Sequence, residues 1–259
     1  MDAATISRIT VYPIKSLDGL SLIEASVTAS GSILNDRRYA IFNEKGIVVN
    51  GKNTPVIHRI RTGFDQEVEY VTFMPENKLP ETFHLHHDRH RINQFLSEFL
   101  SDNVTLEEDP DGAFLDDPEQ SKFTLISTAS LRQVADRFSF SMDECRRRFR
   151  ANIEIDDVPA FWEENLVRPH KVRVPFLVNQ LLAEGVKPCP RCVVPSRNPD
   201  NGEMLRNFQK EFITLRKESL PDFSPLPDYG NYYQLSVSCV FRKNQQGQKF
   251  RFGELVIPA

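Results

Sequence analysis

The sequence predicts a mainly β fold, a barrel or a sandwich with a few short helices. Short segments rich in β-branched and aromatic residues recur along the chain, each bounded by Gly, Asn, Pro or Asp, which is the pattern of short strands joined by turns. The 17 prolines outnumber the 11 glycines, and there are 19 phenylalanines. This composition favours strands and stiff turns over long helices.

Five segments of the N-terminal half have strand character. They are residues 6–14, 21–28, 38–42, 67–73 and 104–107. Glu44, Lys45 and Gly46 stand between two apolar runs and predict a hairpin turn. Short strands at this spacing are typical of a barrel or a sandwich.

Two segments have the periodicity of amphipathic helices. Asp88 is positioned to cap the first, and Ser127 or Thr128 the second. We expect both apolar stripes to pack into the core: Ile92, Phe95, Leu96, Phe99 and Leu100 in the first helix, and Leu131, Val134, Ala135 and Phe138 in the second. Further strands are predicted at 123–126, 152–155 and 233–241, with other apolar segments within 172–182.

An acidic stretch that contains Pro and Gly, residues 109–120, predicts a surface loop or a linker. We expect a domain boundary there. It divides the chain into an N-terminal β-rich domain, residues 3–115, and a second domain, residues 116–259.

Charge and composition exclude several classes of protein. The chain has 32 Lys and Arg against 36 Asp and Glu, a net charge of −4, and 40 % hydrophobic residues. These values are typical of a folded protein and not of one that coats nucleic acid. No secretory signal and no apolar run of about 18 residues is present. We therefore expect a cytoplasmic monomer without nucleic-acid or membrane partners.

The sharpest local motif is a pair of thiols, Cys189 and Cys192, with Arg191 between them. A guanidinium beside a thiol stabilises the thiolate, the form that attacks electrophiles and binds soft metals. A thioredoxin-type dithiol is disfavoured because Pro195 follows where a helix is needed. A zinc ribbon lacks a second pair, since Cys239 has no neighbouring ligand. Two interpretations of the motif remain: a single thiolate ligand for a metal or cofactor, and two inert cysteines.

The four cysteines as a set are too few and too unevenly spaced for a disulfide framework, which indicates a reducing compartment. They are Cys145, Cys189, Cys192 and Cys239.

Four histidines lie within seven positions, at 84, 86, 87 and 90. In an extended segment His84 and His86 point to one face and His87 to the other, so no three converge. The cluster therefore indicates an exposed strand end that leads into the first helix, with zinc binding as the weaker alternative.

Basic residues stand at several predicted strand ends. Lys15 follows the first strand, Arg37 and Arg38 precede another, and an arginine-rich run covers residues 146–150. Cations and hydroxyls placed in this way can converge on a phosphate or a similar anion. RNA is a weaker interpretation of the run, because no aromatic platform motif accompanies it.

Several motifs resemble those of MOSC proteins, a family named after the C-terminal part of molybdenum cofactor sulfurases. Residues 6–46 are similar to the MOSC N-terminal β-barrel domain. Residues 123–138, 149–156, 187–203, 228–235 and 250–257 are similar to the MOSC domain itself. The architecture resembles that of amidoxime-reducing components and their bacterial relatives, which implies a β-barrel MOSC fold and a bound pyranopterin molybdenum cofactor.

The resemblance implies a set of site residues. Cys192 matches the cysteine that ligates molybdenum and is the expected catalytic residue, and Arg191 matches the adjacent cofactor-contacting arginine. The other matching positions are Lys15, Ser16, Arg37, Ser127, Thr128, Arg150, Asn152 and Tyr232. The chain departs from the family pattern at Pro190, at Ala151 and in a longer segment 167–186.

The resemblance also implies a function, the reduction of N-hydroxylated or N-oxide small molecules. The chain carries no four-cysteine extension, so electrons are expected from a separate ferredoxin, flavoprotein or cytochrome b5-type protein. The family also has an association with pyridoxal phosphate binding. Two alternatives stay open: a sulfur carrier with a persulfide on Cys192, and a non-catalytic carrier of the molybdenum cofactor.

Overall fold

The structure is a computed structural model that describes residues 3–76, 78–111, 114–115, 117 and 121–258. Its strands are β1 (Ala4–Val11), β2 (Leu20–Leu22), β3 (Glu24–Ser26), β4 (Tyr39–Asn43), β5 (Ile60–Phe64), β6 (Tyr70–Pro75), β7 (Glu81–His84), β8 (Val104–Glu108), β9 (Phe123–Ser127), β10 (Ile153–Asp156), β11 (Val174–Val178), β12 (Leu181–Pro190), β13 (Gln234–Phe241), β14 (Lys249–Arg251) and β15 (Leu255–Pro258). The helices are α1 (Arg89–Leu100), α2 (Thr128–Phe138), α3 (Met142–Phe149), α4 (Phe208–Glu218) and α5 (Leu226–Tyr229).

A closed barrel of seven strands forms the centre of the fold. Its order is β10-β9-β13-β12-β11-β15-β1, and β1 pairs back with β10 to close it. The pairings are antiparallel except between β9 and β10. Closure pairs the strand edges and encloses an apolar core that includes Ile6, Phe123, Phe176 and Phe241.

The smaller N-terminal sheets have a core of their own. β4 pairs with β8, and β5, β6 and β7 form a three-stranded sheet against which α1 packs. Phe73 and Phe95 stack there with ring centroids 5.1 Å apart, and Phe83 lies 5.6 Å from Phe95. The apolar stripe of α1 therefore faces this second core, as its periodicity predicts.

Two helices that precede β10 begin at serine caps. The Ser127 hydroxyl accepts a hydrogen bond from the Ser130 amide at 3.1 Å, which begins α2. The Ser141 hydroxyl accepts one from the Glu144 amide at 3.0 Å, which begins α3. Helix α3 ends at Arg150, whose φ of 54° turns the chain toward β10.

The prediction of a mainly β fold with a few short helices is confirmed, and the barrel replaces the sandwich alternative. The predicted strand 21–28 is divided, because β2 pairs with β1 whereas β3 pairs with β14. Asp88 holds the N-cap position of α1, but its carboxylate accepts from the His84 amide at 2.9 Å and caps no helical N–H. The apolar segments within 172–182 belong to the antiparallel pair β11 and β12.

Parts of the predicted loop 109–120, namely residues 112–113, 116 and 118–120, lie outside the described residues. The division at residues 115 and 116 stays a prediction, and β1 from the first part is a barrel strand paired with β10 and β15 from the second. None of the helices in the described chain is long and apolar enough to cross a membrane.

Candidate functional site

A cavity of about 530 Å³ lies between the barrel strands and the N-terminal segment 50–60. Its volume falls in the range of about 300–1,000 Å³ that is typical of small-molecule sites. The lining includes seven of the residues that the sequence comparison with MOSC proteins singled out: Lys15, Ser16, Arg37, Arg150, Asn152, Arg191 and Cys192. Strands that are far apart in the sequence thus bring most of the predicted set together.

The C-terminal end of β1 and the residues after it organise the cationic side of this cavity. The Thr10 amide donates to the Asn152 carbonyl at 2.7 Å, which places the segment after α3 beside β1. The Lys15 amide donates to the Tyr39 carbonyl at 2.8 Å, which holds the start of β4 on the same side. Three segments that carry basic residues are therefore joined by backbone hydrogen bonds.

Three of the cavity residues have left-handed backbone conformations. The φ angles are 74° at Ser16, 50° at Arg37 and 54° at Arg150. This conformation costs about 1–2 kcal/mol at each non-glycine residue. Such strain is concentrated at functional sites in proteins, because the surrounding structure must compensate for it.

Arg37 is held by a buried carboxylate. Its Nη1 lies 2.7 Å and 2.6 Å from the two oxygens of Asp36, which is fully buried and also accepts from the Tyr12 amide at 2.9 Å. The Arg37 Nη2 donates to the Arg150 carbonyl at 3.3 Å. Asp36 therefore fixes the direction of the Arg37 guanidinium. It is not among the site residues that the sequence motifs predict.

Arg150 contacts an aromatic ring and not a carboxylate of the described chain. Its guanidinium carbon lies 4.0 Å from the centre of the Tyr12 ring, and no carboxylate of the described residues forms an ion pair with it. Burial lowers the pKa of Arg150 to about 10, and the nearby positive charge of Arg37 contributes to this shift. It is still protonated at neutral pH, so an anion in the cavity meets a partly buried cation that has no ion-pair partner among the described residues.

The other arginines of the run 146–150 have structural partners. Arg146 forms a bidentate pair with Glu154 at 2.7 and 2.8 Å, and Arg147 lies 2.8 Å from Asp200. Arg148 pairs with Glu144 at 2.6 Å and donates to the carbonyls of the Cys192 loop at Pro195 and Arg197. Arg147, Arg148 and Arg150 all line the cavity, but Arg147 and Arg148 are paired with carboxylates, whereas Arg150 has no ion-pair partner among the described residues.

Asn152 is buried and fully used in backbone contacts. Its Nδ2 donates to the Thr10 carbonyl at 3.1 Å, and its Oδ1 accepts from the Thr124 amide at 3.1 Å. It also accepts from Arg37 at 3.3 Å. Asn152 thus joins β1, β9 and the Arg37 side chain, which makes it a positioning group for the cationic wall.

The two thiols of the Pro-flanked motif lie at the end of β12. The Arg191 amide donates to the Tyr233 carbonyl at 3.0 Å, and the Tyr233 hydroxyl donates to the Cys192 carbonyl at 3.1 Å. The Cys192 Sγ accepts from the Val194 amide at 3.5 Å. A short 3₁₀ turn at Val194–Ser196 follows, which is not the long helix of a thioredoxin-type site.

Arg191 points along the wall behind the thiol. Its Nη2 donates to the Ser236 hydroxyl at 2.9 Å, and its guanidinium carbon lies 5.4 Å from the centre of the Phe149 ring. Its buried Nε has no hydrogen-bond partner among the described residues. An orphaned buried N–H of this kind is what a polar ligand in the cavity can satisfy.

Only two of the four cysteines are placed for chemistry. All four are free thiols; Cys189 and Cys192 are partly exposed and line the cavity, whereas Cys145 and Cys239 are buried. Burial raises the pKa of Cys145 to about 12 and that of Cys239 well above its usual value. The buried pair is therefore unreactive, because the thiolate is the reactive form.

Three of the predicted site residues do not line the cavity. Ser127 is fully buried and caps α2, and the Thr128 hydroxyl donates to Glu154 at 2.9 Å. The ring of Tyr232 lies 5.2 Å from the Lys217 Nζ, on the side of α4. The adjacent Tyr233 contacts the Cys192 loop instead, since its hydroxyl donates to the Cys192 carbonyl. Successive side chains of an extended segment point to opposite sides, so the two tyrosine rings lie apart.

Several cavity residues were missed by the sequence reading. The Lys15 Nζ donates to the Phe114 carbonyl at 2.7 Å, and Lys187 pairs with Asp117 at 2.5 Å. His58 enters the lining from the 3₁₀ helix Pro55–Arg59. Phe114, Asp117 and His58 lie outside the quoted motifs, and Lys187 opens one of them without a predicted role, so only the three-dimensional fold reveals their place in the cavity.

The histidine cluster lies elsewhere, at the end of β7. The His84 Nδ1 accepts hydrogen bonds from the amides of His86 and His87 at 3.1 and 3.2 Å, which shapes the turn into α1. Because Nδ1 accepts, the neutral ring carries its proton on Nε2 and offers no lone pair there to a metal. Among the described residues no group of three or more His, Cys, Asp or Glu side chains is arranged to hold a metal ion.

Comparisons with known proteins agree with this architecture. A family model described as the MOSC N-terminal beta barrel domain matches residues 3–117, and one described as the MOSC domain matches residues 84–238. The chain is 25 % identical over 278 residues to the mitochondrial amidoxime reducing component 2 of Bos taurus, covering 89 % of this chain and 79 % of that protein. It is 22 % identical to the mitochondrial amidoxime-reducing component 1 of Homo sapiens, covering 89 % and 78 %.

A solved structure, the YUAD protein from Bacillus subtilis, covers 98 % of this chain and 94 % of its own, with a TM-score of 0.42 and 8 % identity. At that TM-score the likeness carries no argument. The assignment rests on the two family models, of which the second alone spans more than half of the chain. The chain belongs to the MOSC family, with a MOSC N-terminal domain and a MOSC domain.

Proposed function

We propose that this protein binds the molybdenum cofactor in the cavity and reduces N-hydroxylated or N-oxide small molecules. The observation that carries the proposal is the joint presence, in one cavity, of a cationic wall around Arg150 and an accessible thiol at Cys192. The names of the relatives, amidoxime-reducing components, support the choice of substrate class.

The residues present fit the cofactor at both of its ends. Arg150 is a partly buried cation without a described carboxylate partner, and Lys15 and Arg37 line the same cavity, which suits a phosphate group. Thiolate is the ligand type that soft metals prefer, and Cys192 is a cavity thiol whose loop is held by Tyr233 and Arg148.

When bound, the molybdenum centre supplies the two-electron chemistry by which an oxygen atom is removed from the substrate. The chain's own residues bind and orient. Arg37 and Arg150 hold the anionic end, Arg191 presents its unpartnered Nε to the ligand, and the Phe149 ring limits the access of water to the wall behind it. We propose that the electrons come from a separate ferredoxin, flavoprotein or cytochrome b5-type protein.

Pyridoxal phosphate shares the phosphate chemistry of the cationic wall. It has no need of a thiolate ligand, however, and Cys192 would then have no role in binding. The accessible thiol in the same cavity therefore favours the molybdenum cofactor over pyridoxal phosphate.

The test compares Cys192→Ala with Cys189→Ala, a matched change at the other cavity thiol. Each protein is purified from a host that makes the cofactor, and its molybdenum is measured by elemental analysis and its pterin by fluorescence after oxidation. We expect wild type and Cys189→Ala to hold both, and Cys192→Ala to lose molybdenum. Stoichiometric molybdenum in Cys192→Ala contradicts the ligand assignment.

Further measurements on the wild-type protein separate the alternatives. Turnover of an amidoxime with a chemical reductant is the expected result for a reductase. A 32 Da adduct on Cys192 without pterin identifies a sulfur carrier instead. Bound pterin without turnover under any electron donor identifies a non-catalytic carrier.

A further inference from the structure

His58 occupies a position in the cavity that no motif explains. It lies on the 3₁₀ helix Pro55–Arg59 and lines the same cavity as Arg150 and Cys192. Ile57 before it and Ile60 two positions after it are buried apolar residues of the N-terminal core, whereas Arg59 is exposed. The segment therefore packs its isoleucines into that core and directs the imidazole to the cavity.

The imidazole approaches the loop that follows Cys192. A Cβ atom placed on Gly51 would lie 2.6 Å from the His58 Nε2 and 3.5 Å from Val194 Cγ2, so His58 and the loop that follows Cys192 approach the same point. On the other side, Asp18 of the Lys15 loop accepts from the Thr62 amide at 2.9 Å, which holds that loop against the strand that follows His58. Lys15, His58 and Cys192 all line the same cavity, so one ligand there can contact all three.

The buried nitrogen of this ring has no partner in the described part of the chain. His58 Nε2 is excluded from solvent and, by distance and angle, makes no hydrogen bond to a described residue, although the nearby Gly51 backbone partly opposes the lowering of the pKa of the ring. A buried polar group without a partner destabilises the fold, and an apolar side chain of the same size would avoid that cost. The position is thus costly for the empty protein.

The charge state of the ring follows from its surroundings. Burial first, and then the charges of Arg150 and Arg197, lower the pKa of His58 to about 4. The imidazole is neutral at physiological pH and has one donor and one acceptor nitrogen, whereas the arginines around it only donate. It can therefore pair with a cyclic amide edge, which has both kinds of group.

We propose that His58 is a binding residue for the pterin part of the cofactor, where its imidazole makes a hydrogen bond that no arginine of the cavity can replace. This inference rests on the proposed function, since it concerns the ligand that joins the phosphate wall to Cys192. It adds a residue from the N-terminal domain to a binding set drawn from strand ends and the Cys192 loop.

The test uses loaded protein and measures release of the cofactor, with no need of turnover. His58→Leu removes both ring nitrogens at similar size, and His58→Gln keeps a donor and an acceptor. His90→Leu, at an exposed histidine of α1, is the matched control. After dilution, pterin fluorescence and molybdenum content of the retained protein are followed with time.

We expect His58→Leu to release pterin about tenfold faster than wild type, His58→Gln within about threefold of it, and His90→Leu at the wild-type rate. The empty His58→Leu protein is expected to melt at the same temperature as empty wild type or above it, because an unpartnered buried group is gone. Binding of inorganic phosphate to the empty protein is expected to be unchanged by His58→Leu and weakened by Arg150→Gln.

Two negative results have different meanings. A wild-type protein without pterin and molybdenum overturns the proposed function and this inference together. A loaded wild type with an unchanged release rate in His58→Leu overturns this inference alone, and so does faster release accompanied by a lower melting temperature of the empty variant.

Discussion

The Tyr12 ring lies between two arginines of the cavity wall, with the guanidinium carbon of Arg150 at 4.0 Å and that of Arg37 at 4.6 Å from its centre. The ring is buried, and its hydroxyl donates to the Ala151 carbonyl at 3.3 Å. Two like charges are thus held close together by contacts with one aromatic group and one carboxylate, Asp36. This arrangement stabilises a cationic wall before any anion is bound.

Replacing Tyr12 tests whether the ring maintains the wall. Tyr12→Leu removes the aromatic contact with both guanidinium groups, which is worth about 0.5–2 kcal/mol in partly buried pairs. We expect inorganic phosphate to bind the empty protein about 3- to 30-fold more weakly, measured by calorimetric titration. Tyr12→Phe retains the ring and is expected to bind nearly as wild type; equal losses in both variants would assign the effect to the hydroxyl.

The contrast between Arg150 and Arg148 tests how the basic run is divided. Arg150→Gln removes the cation without a described carboxylate partner, so we expect phosphate affinity to fall by about tenfold or more while stability is kept or raised. Arg148→Gln leaves Glu144 and the Pro195 carbonyl without their partner, and is expected to cost about 2–4 kcal/mol of unfolding free energy. Urea unfolding and phosphate titration of both variants check this.

The same two variants can also contradict the division. A destabilised Arg150→Gln protein with wild-type phosphate affinity would make Arg150 a structural residue. A stable Arg148→Gln protein with weak phosphate binding would place the anion contact at Arg148.

The sequence predicted many of the strands and the helices α1 and α2, and seven of its ten candidate site residues line the cavity, for identifiable physical reasons. Strand periodicity and the serine cap of α2 are local signals, so β1, β9 and the start of that helix were found. Arg37 and Cys192 were found because motifs carry them. The roles of Asp36 and His58 were not, because they depend on which distant segments meet: Asp36 contacts the Tyr12 amide, and His58 approaches Gly51 and the loop after Cys192.

The site residues that the structure leaves outside the cavity have a physical explanation as well. Ser127 is used to cap α2, and Thr128 donates to Glu154, so the hydroxyls belong to the fold's own hydrogen bonds. Tyr232 and Tyr233 are adjacent on the chain, and a shift of one position exchanges the residue that faces the Cys192 loop. A motif alone does not fix that choice.

A substitution at Gly51 would displace the His58 ring from the cavity wall without removing any polar group. A Cβ there would lie 2.6 Å from His58 Nε2, so Gly51→Ala has to displace the imidazole. We expect the loaded variant to release its cofactor several-fold faster than wild type, by the same fluorescence assay. Gly63→Ala is the control, because its new Cβ would meet only Met74 Cε at 3.9 Å. Wild-type release from Gly51→Ala would mean that the ring moves without consequence.

A buried carboxyl outside the cavity, Glu163, predicts a pH dependence of stability. It is fully buried, and neither of its oxygens meets the distance and angle of a hydrogen bond with a described residue. Burial raises its pKa to about 7 from the usual 4.5. The folded state therefore retains a proton that the unfolded chain releases. This contribution is fully present below pH 4.5 and is lost as the pH rises toward and through about 7.

Replacing this carboxyl by an amide should remove the dependence. The shift from 4.5 to about 7 corresponds to as much as about 3 kcal/mol, so Glu163→Gln is expected to approach that gain over wild type at pH 8 and to differ little at pH 4.5. Urea unfolding at both pH values measures it, with Glu67→Gln as a control at an exposed position. A gain of equal size at both pH values would contradict the titration of Glu163 and would assign the effect to packing, because an amide and a protonated carboxyl have nearly the same shape.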